Sequence, residues 1–229
     1  MSRSPARRPR RLAPRRLIVA ALAAATGCSN DAERSPDAVL TVVAVAATPC
    51  TSPNRDRGLG VAVGDGLVAT AGHTVEGPRR EVTVDGVAAT VLVVDPRTDL
   101  AILRTSLDAA VLPPPAMSDA FADTARRATV RTGSDDLTVD VIATGQLIVD
   151  DTTDRQRYER EVHTLAPGVP AGTSGAPLAD TGGRLLGIVV LANRTDDTSY
   201  AVTARELRAL IERATATNPD APSPSPCPG

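Results

Sequence analysis

The sequence predicts an all-β fold, two small antiparallel β-barrels followed by one C-terminal helix, and three observations carry that prediction. Hydrophobic residues make up 42% of the 229 while aromatics make up 1%, so Val, Leu, Ile and Ala must supply the core. Short strands suit such residues, because β-branched side chains pack well on a pleated, half-buried surface. Strand-length apolar or alternating runs also occur on both sides of a proline-rich crossing, punctuated by Gly and Asp at turns. A single helical stripe follows the last of them. A chain of this length holds one domain or two small lobes.

Along the chain, residues 39–45 read as the first strand, followed by 58–63, a Gly64-Asp65-Gly66 turn and 67–71. Residues 81–84, an Asp85-Gly86 turn and 87–94 complete a first lobe over about 38–111. Leu112 to Arg127, with Pro113, Pro114 and Pro115, is the predicted crossing between lobes. Residues 128–132, 138–144, 160–165, 184–191 and 198–202 give the second lobe, about 128–203. Thr203 is placed to cap a helix over 203–215, with Glu206 at capping-box spacing and Leu207, Leu210 and Ile211 as its apolar stripe. The expected domain covers 38–217, with a Pro-rich tail at 218–229 and no PDZ module.

Before this domain, Arg7, Arg8, Arg10, Arg11, Arg15 and Arg16 precede an apolar run at 17–25, the pattern of an export signal over 1–28. That run is too short to span a bilayer. It ends in Ala25-Thr26-Gly27-Cys28, which resembles a bacterial lipobox whose cysteine is lipidated. Lipidation of Cys28 is the preferred expectation, with ordinary cleavage or a retained anchor as alternatives. The protein is therefore expected outside the cytoplasm, lipid-anchored on the membrane or secreted. Residues 29–37 are polar and read as a tether. Nucleic-acid binding is excluded, because the dense arginine cluster ends at Arg16 and the remainder is acidic and poor in stacking aromatics. No metal-ligand spacing and no phosphate-binding glycine loop stands out, so no metal or cofactor is expected.

The chemistry concentrates in Thr173-Ser174-Gly175, inside a segment running from Ala171 to Leu178. A serine between glycines and before Pro177 reads as a nucleophile on a tight turn. A hydroxyl is a poor nucleophile and needs a base, which in turn needs an acid to fix its tautomer. His73 ends the run from Gly66 to Gly72, and Asp99 opens Asp99-Leu100-Ala101. Both histidines, His73 and His163, precede Ser174, which gives the order His, Asp, Ser and excludes the Ser, acid, His order of α/β-hydrolases. Asp95 competes with Asp99 as the acid; the resemblance of Asp99-Leu100-Ala101 to a known family's aspartate block favours Asp99 and leaves Asp95 as a solvated turn residue. His163 is read as a plain strand residue that could flank the substrate pocket.

These blocks resemble those of chymotrypsin-fold serine proteases, above all the bacterial HtrA-like branch. Thr70-Ala71-Gly72-His73, Asp99-Leu100-Ala101 and Gly172 to Leu178 match that family's Thr-Asn-Ala-His-Val, Asp-Leu-Ala and Gly-Asn-Ser-Gly-Gly-Pro-Leu blocks over most of 38–213. The resemblance implies two six-stranded barrels with a site between them, catalytic His73, Asp99 and Ser174, and peptide or protein substrates cleaved through an acyl-enzyme. It places an oxyanion hole at the N–H groups of Gly172 and Ser174. It places the P1 pocket at Gly168-Val169-Pro170-Ala171, at Val190, Leu191 and Ala192, and at Thr198. Those segments contain no carboxylate, so small or medium uncharged P1 residues are expected. Thr173 and Ala176 depart from the pattern, and a glycine-only dihedral at Ala176 would be strained. With Gly72 they motivate a rival reading, a non-catalytic module that binds extracytoplasmic peptides. Cys50 and Cys227 remain once Cys28 is set aside, and the layout resembles MarP-type actinobacterial proteases with a cysteine at each end. Export favours their disulfide, with two free thiols as the alternative.

Overall fold

The computed structural model describes residues 40–108, 112–119, 126–150, 156–193, 196–216 and 227. The expected export signal with Cys28, the expected tether and most of the Pro-rich tail lie outside the described residues. Six strands make the first sheet: β1 (Val42–Pro49), β2 (Asp56–Gly64), β3 (Leu67–Ala71), β4 (Arg79–Val84), β5 (Val87–Asp95) and β6 (Leu100–Thr105). They pair antiparallel in the order β1-β2-β3-β6-β5-β4, and β4 closes on β1. A second closed barrel, ordered β10-β11-β12-β9-β8-β7, is formed by β7 (Arg126–Val130), β8 (Leu137–Asp150), β9 (Arg157–Ala166), β10 (Pro177–Ala179), β11 (Leu185–Asn193) and β12 (Thr198–Thr203). A one-turn helix α1 (Gly72–Val75) follows β3, and α2 (Ala204–Ala216) follows β12.

Local chemistry explains the elements that were legible. Asp85 (φ 47°) and Gly86 (φ 79°) both sit at positive φ in the two-residue β4–β5 turn, the geometry that makes Asp-Gly a hairpin signal. In α2, the Thr203 hydroxyl accepts from the Glu206 N–H at 3.5 Å, and Ala204, Leu207, Leu210 and Ala214 are buried. Ile211 is half-buried, and the Glu206 carboxylate takes Arg97 at 3.1 and 2.6 Å.

Other elements differ from expectation for identifiable reasons. The sequence reading did not separate β6 as a strand, because Leu100-Ala101-Ile102-Leu103 is buried on both faces and does not alternate. In β3 and β6, Leu67, Ala69, Ala71, Leu100 and Ile102 pack with Ile188, Val190, Val202, Leu207 and Leu210. Val68, Ala101 and Leu103 point the other way, into the first barrel with Val45 and Val84. β10 has only three residues and carries no pattern of its own. β7 begins at Arg126, inside the expected crossing, and β8 runs on to Asp150, paired antiparallel with β9. Cys50, just after β1, is disulfide-bonded to Cys227 with a Cα–Cα distance of 5.4 Å. Among the described residues, no helix is long and apolar enough to cross a membrane.

Candidate active site

His73 stands on α1, directly after β3, and Asp99 ends the turn between β5 and β6. The Gly72 N–H donates to the Asp99 carbonyl at 2.8 Å, and the His73 N–H donates to Asp99 Oδ1 at 2.8 Å. His73 Nδ1 lies 2.9 Å from Asp99 Oδ2. Asp99 adopts φ 57°, a left-handed conformation that a short polar side chain tolerates. Gly72 permits this approach, since a Cβ there would meet Asp99 Oδ1 at 3.0 Å and the Asp99 carbonyl carbon at 3.1 Å. Its departure from the family's alanine therefore fits the site. The hydrogen bond that the ring donates to Asp99 raises the His73 pKa above its ordinary 6.5 against the cost of burial, with the charges of Asp99 and Glu76 adding and that of Arg160 opposing.

The Ser174 turn is shaped by backbone. Its carbonyl accepts from the Leu59 N–H of β2 at 2.7 Å, and Gly175 N–H donates to the Val189 carbonyl at 2.7 Å. Gly175 has φ 86°, and a Cβ there would lie 1.8 Å from the Leu59 carbonyl oxygen. Gly172, at φ 95°, has no atom within 4 Å of a virtual Cβ. The Thr173 hydroxyl donates to the Pro170 carbonyl at 2.8 Å, and its own carbonyl accepts from Ala176 at 2.9 Å. Ala176 is buried without positive φ, so the expected strain there is absent: the positions that demand glycine are 172 and 175, and both have it. Among the described residues, neither the Gly172 nor the Ser174 N–H donates to another protein group, while those of Gly175 and Ala176 do. Two amides at the serine are thus without a protein acceptor among the described residues.

His73, Asp99 and Ser174 line one cleft of about 720 Å³ together with Gly168, Val169, Pro170, Ala171, Gly172, Val190, Leu191, Ala192 and Thr198. Ser174 and the His73 ring share it without a hydrogen bond between them, a looseness common before substrate binds. The cleft also contains two residues that sequence reading missed, Asn193 and Asp197. Asp197 Oδ1 accepts from the Gly168 N–H at 3.2 Å, so the expectation of a pocket lacking carboxylates does not hold. The pair Asp196-Asp197 just before Thr198 was the available signal. Gly58, Leu59 and Thr70, which brace the Ser174 turn, were missed as well; Thr70 Oγ1 donates to the Leu59 carbonyl at 2.7 Å.

One further residue is corrected, and a second keeps its expected place on a strand. Asp95 is no solvated turn residue: it is 7% exposed, pairs with Arg213 of α2 and accepts from the Arg97 N–H at 3.0 Å. Burial raises its pKa, and Arg213 with Arg97 more than offsets this, so it falls below the ordinary carboxylate value. His163 does not reach the cleft. It is buried on β9 with Nδ1 2.8 Å from Thr144 Oγ1 and Nε2 3.2 Å from the Leu186 carbonyl, and it lines a separate cavity of about 300 Å³. Burial lowers its pKa below 6.5, against the Leu186 carbonyl and Glu161.

The sequence over residues 58–188 matches the trypsin-like peptidase domain. The chain belongs to the trypsin-like peptidase domain family. It is similar to the serine protease Rv3671c of Mycobacterium tuberculosis strain H37Rv, 29% identical over 185 residues, which cover 71% of this chain and 43% of the relative. The chain thus spans less than half the length of that relative. The crystal structure of the Rv3671c protease in its active form superposes with TM-score 0.69 at 28% identity, over 82% of this chain and 85% of that one. The HtrA-type protease AlgW with a tripeptide superposes with TM-score 0.60 at 20% identity, over 78% and 61%, and shares the fold. The two six-stranded sheets and the C-terminal helix of this trypsin-like domain are therefore chymotrypsin-like.

Proposed function

We propose that the chain is an extracytoplasmic serine endopeptidase that hydrolyses peptide bonds through Ser174, His73 and Asp99. The observation that carries this reading is the pairing of His73 Nδ1 with Asp99 Oδ2 at 2.9 Å, in the cleft that holds Ser174 and its two undonated amides. His73 Nε2 accepts the Ser174 proton as Oγ attacks the substrate carbonyl carbon, and Asp99 stabilises the imidazolium that results. The N–H groups of Gly172 and Ser174 hold the tetrahedral oxyanion, each donor contributing about 3 kcal/mol. The imidazolium then protonates the leaving amine, and water, activated by the same histidine, releases the acyl group from Ser174. Thr173, Ala176 and Gly72, which motivated a non-catalytic module, each have a fitting place, so nothing specific favours that rival.

The protease domain is proposed to cover 38–217, preceded by an export signal ending at Cys28 and a tether at 29–37. Lipidation of Cys28 would hold it on the outer face of the membrane, and the Cys50–Cys227 disulfide suits an oxidising compartment. Labelling with a fluorophosphonate probe tests the reading: wild type is modified at Ser174 and Ser174→Ala is not. Failure of wild type to label would overturn it.

A further inference from the structure

The turn that delivers Asp99 belongs to the first barrel, yet the second barrel and α2 hold it. Arg213 of α2 pairs with Asp95. Arg97 forms its two bonds to Glu206 of α2 and donates to the Glu159 carbonyl of β9 at 3.3 Å. Arg160, also on β9, donates through Nη2 to the Pro96 carbonyl at 3.3 Å, and its Nη1 stands 3.7 Å from Asp99 Oδ2. Its side chain is only 7% exposed and that of Asp99 19%.

We propose that Arg160 is a positioning residue for the Asp99 carboxylate, supplied by the second barrel to the acid of the first. The inference rests on the triad reading above. Oδ1 of Asp99 is taken by the His73 N–H, while Oδ2 faces both the His73 ring and the Arg160 guanidinium. A carboxylate approached from these three directions has one orientation, the one that presents Oδ2 to Nδ1. A planar guanidinium suits this task, since one Nη reaches the backbone of the turn and the other the carboxylate.

The same placement sets the charge balance at His73. A small cavity beside the ring, about 180 Å³, is lined by Asp99 from the β5–β6 turn, Glu76 after α1, and Tyr158 and Arg160 from β9. Asp99 and Glu76 favour the imidazolium, and Arg160 opposes it. Without Arg160, His73 holds its proton to higher pH and is less available as a base at neutrality.

The test is an NMR titration of the His73 ring in the full chain, with pH profiles of kcat/KM, for wild type, Arg160→Lys and Arg160→Met. In Arg160→Met the His73 midpoint and the acid limb of kcat/KM both move upward, and kcat falls by roughly 10- to 100-fold with little change in KM. Arg160→Lys keeps the charge and loses the fork, so its midpoint stays near that of wild type while kcat falls less. A Met variant with the wild-type midpoint and kcat overturns the proposal, as does one that loses only thermal stability. If the Met variant does not fold, Arg160→Lys decides: lowered kcat at the wild-type midpoint supports positioning, and wild-type kcat refutes it. The NMR midpoint needs no turnover, so an unlabelled wild type would sink the triad reading without deciding how Arg160 acts on His73.

Discussion

In the first barrel, Gly72, His73 and Asp99 are tied by hydrogen bonds of 2.8, 2.8 and 2.9 Å, two of them through the Asp99 side chain. In the second, Ser174 is held through backbone alone, by the Leu59 and Val189 contacts and by two glycines at positive φ. The proposed base and acid are therefore paired at the ends of the buried strands β3 and β6, whereas the proposed nucleophile depends on a turn that accepts no Cβ at 175. Mutating the first region removes a side-chain function; mutating the second deforms the surface on which the serine is presented.

The largest break in this comparison is Gly175→Ala, whose methyl would meet the Leu59 carbonyl oxygen at 1.8 Å with φ at 86°. Expected is a loss of at least about 3 kcal/mol by denaturant unfolding, along with activity. Gly172→Ala separates shape from stability, since nothing crowds its Cβ. It should cost about 1 to 3 kcal/mol for the left-handed backbone, while kcat drops about 10²- to 10³-fold if the Gly172 N–H turns away from the oxyanion. Kinetics and thermal melting on one sample distinguish the two effects.

A smaller effect sharpens the pocket. With Asp197 in the cleft, peptides with Lys or Arg at P1 should be accepted, and Asp197→Asn should lower their kcat/KM relative to uncharged P1 peptides. The carboxylate is exposed, so the change is roughly two- to fivefold. A peptide-library profile with no difference between the variants would place the P1 side chain elsewhere.

Smallest is the pH effect of His163, which lies in the second barrel away from the cleft. Its folded pKa lies below 6.5, so as pH falls through about 6.5 the unfolded chain takes up a proton that the folded chain refuses, and stability drops. His163→Gln should remove this part of the acid-induced loss, read as the difference between the two stability curves between about pH 5 and 7. Parallel curves would contradict it.

The elements with local signals were legible in the sequence: the Asp85-Gly86 hairpin, the capped α2, the run ending at His73, and the Gly172 to Leu178 block. β6 was hidden because a strand buried on both faces has no alternation, and β10 because three residues have no period. The site residues that escaped, Arg160, Gly58, Leu59 and Asp197, act through contacts between distant segments. Arg160 meets Asp99 across 61 positions of the chain, counting 160 minus 99, and no local pattern encodes that meeting. Asp95 was misjudged for the same reason, since its partner Arg213 lies on α2.

The central claim is that side chains from the first barrel and the turn of the second work as one catalytic unit. Peptide hydrolysis by wild type, Ser174→Ala, His73→Ala and the double variant measures this directly. The account predicts that each single change lowers kcat by about 10⁴- to 10⁶-fold and that the double variant is hardly worse than either. Near wild-type hydrolysis by Ser174→Ala, or losses that multiply in the double variant, would contradict it.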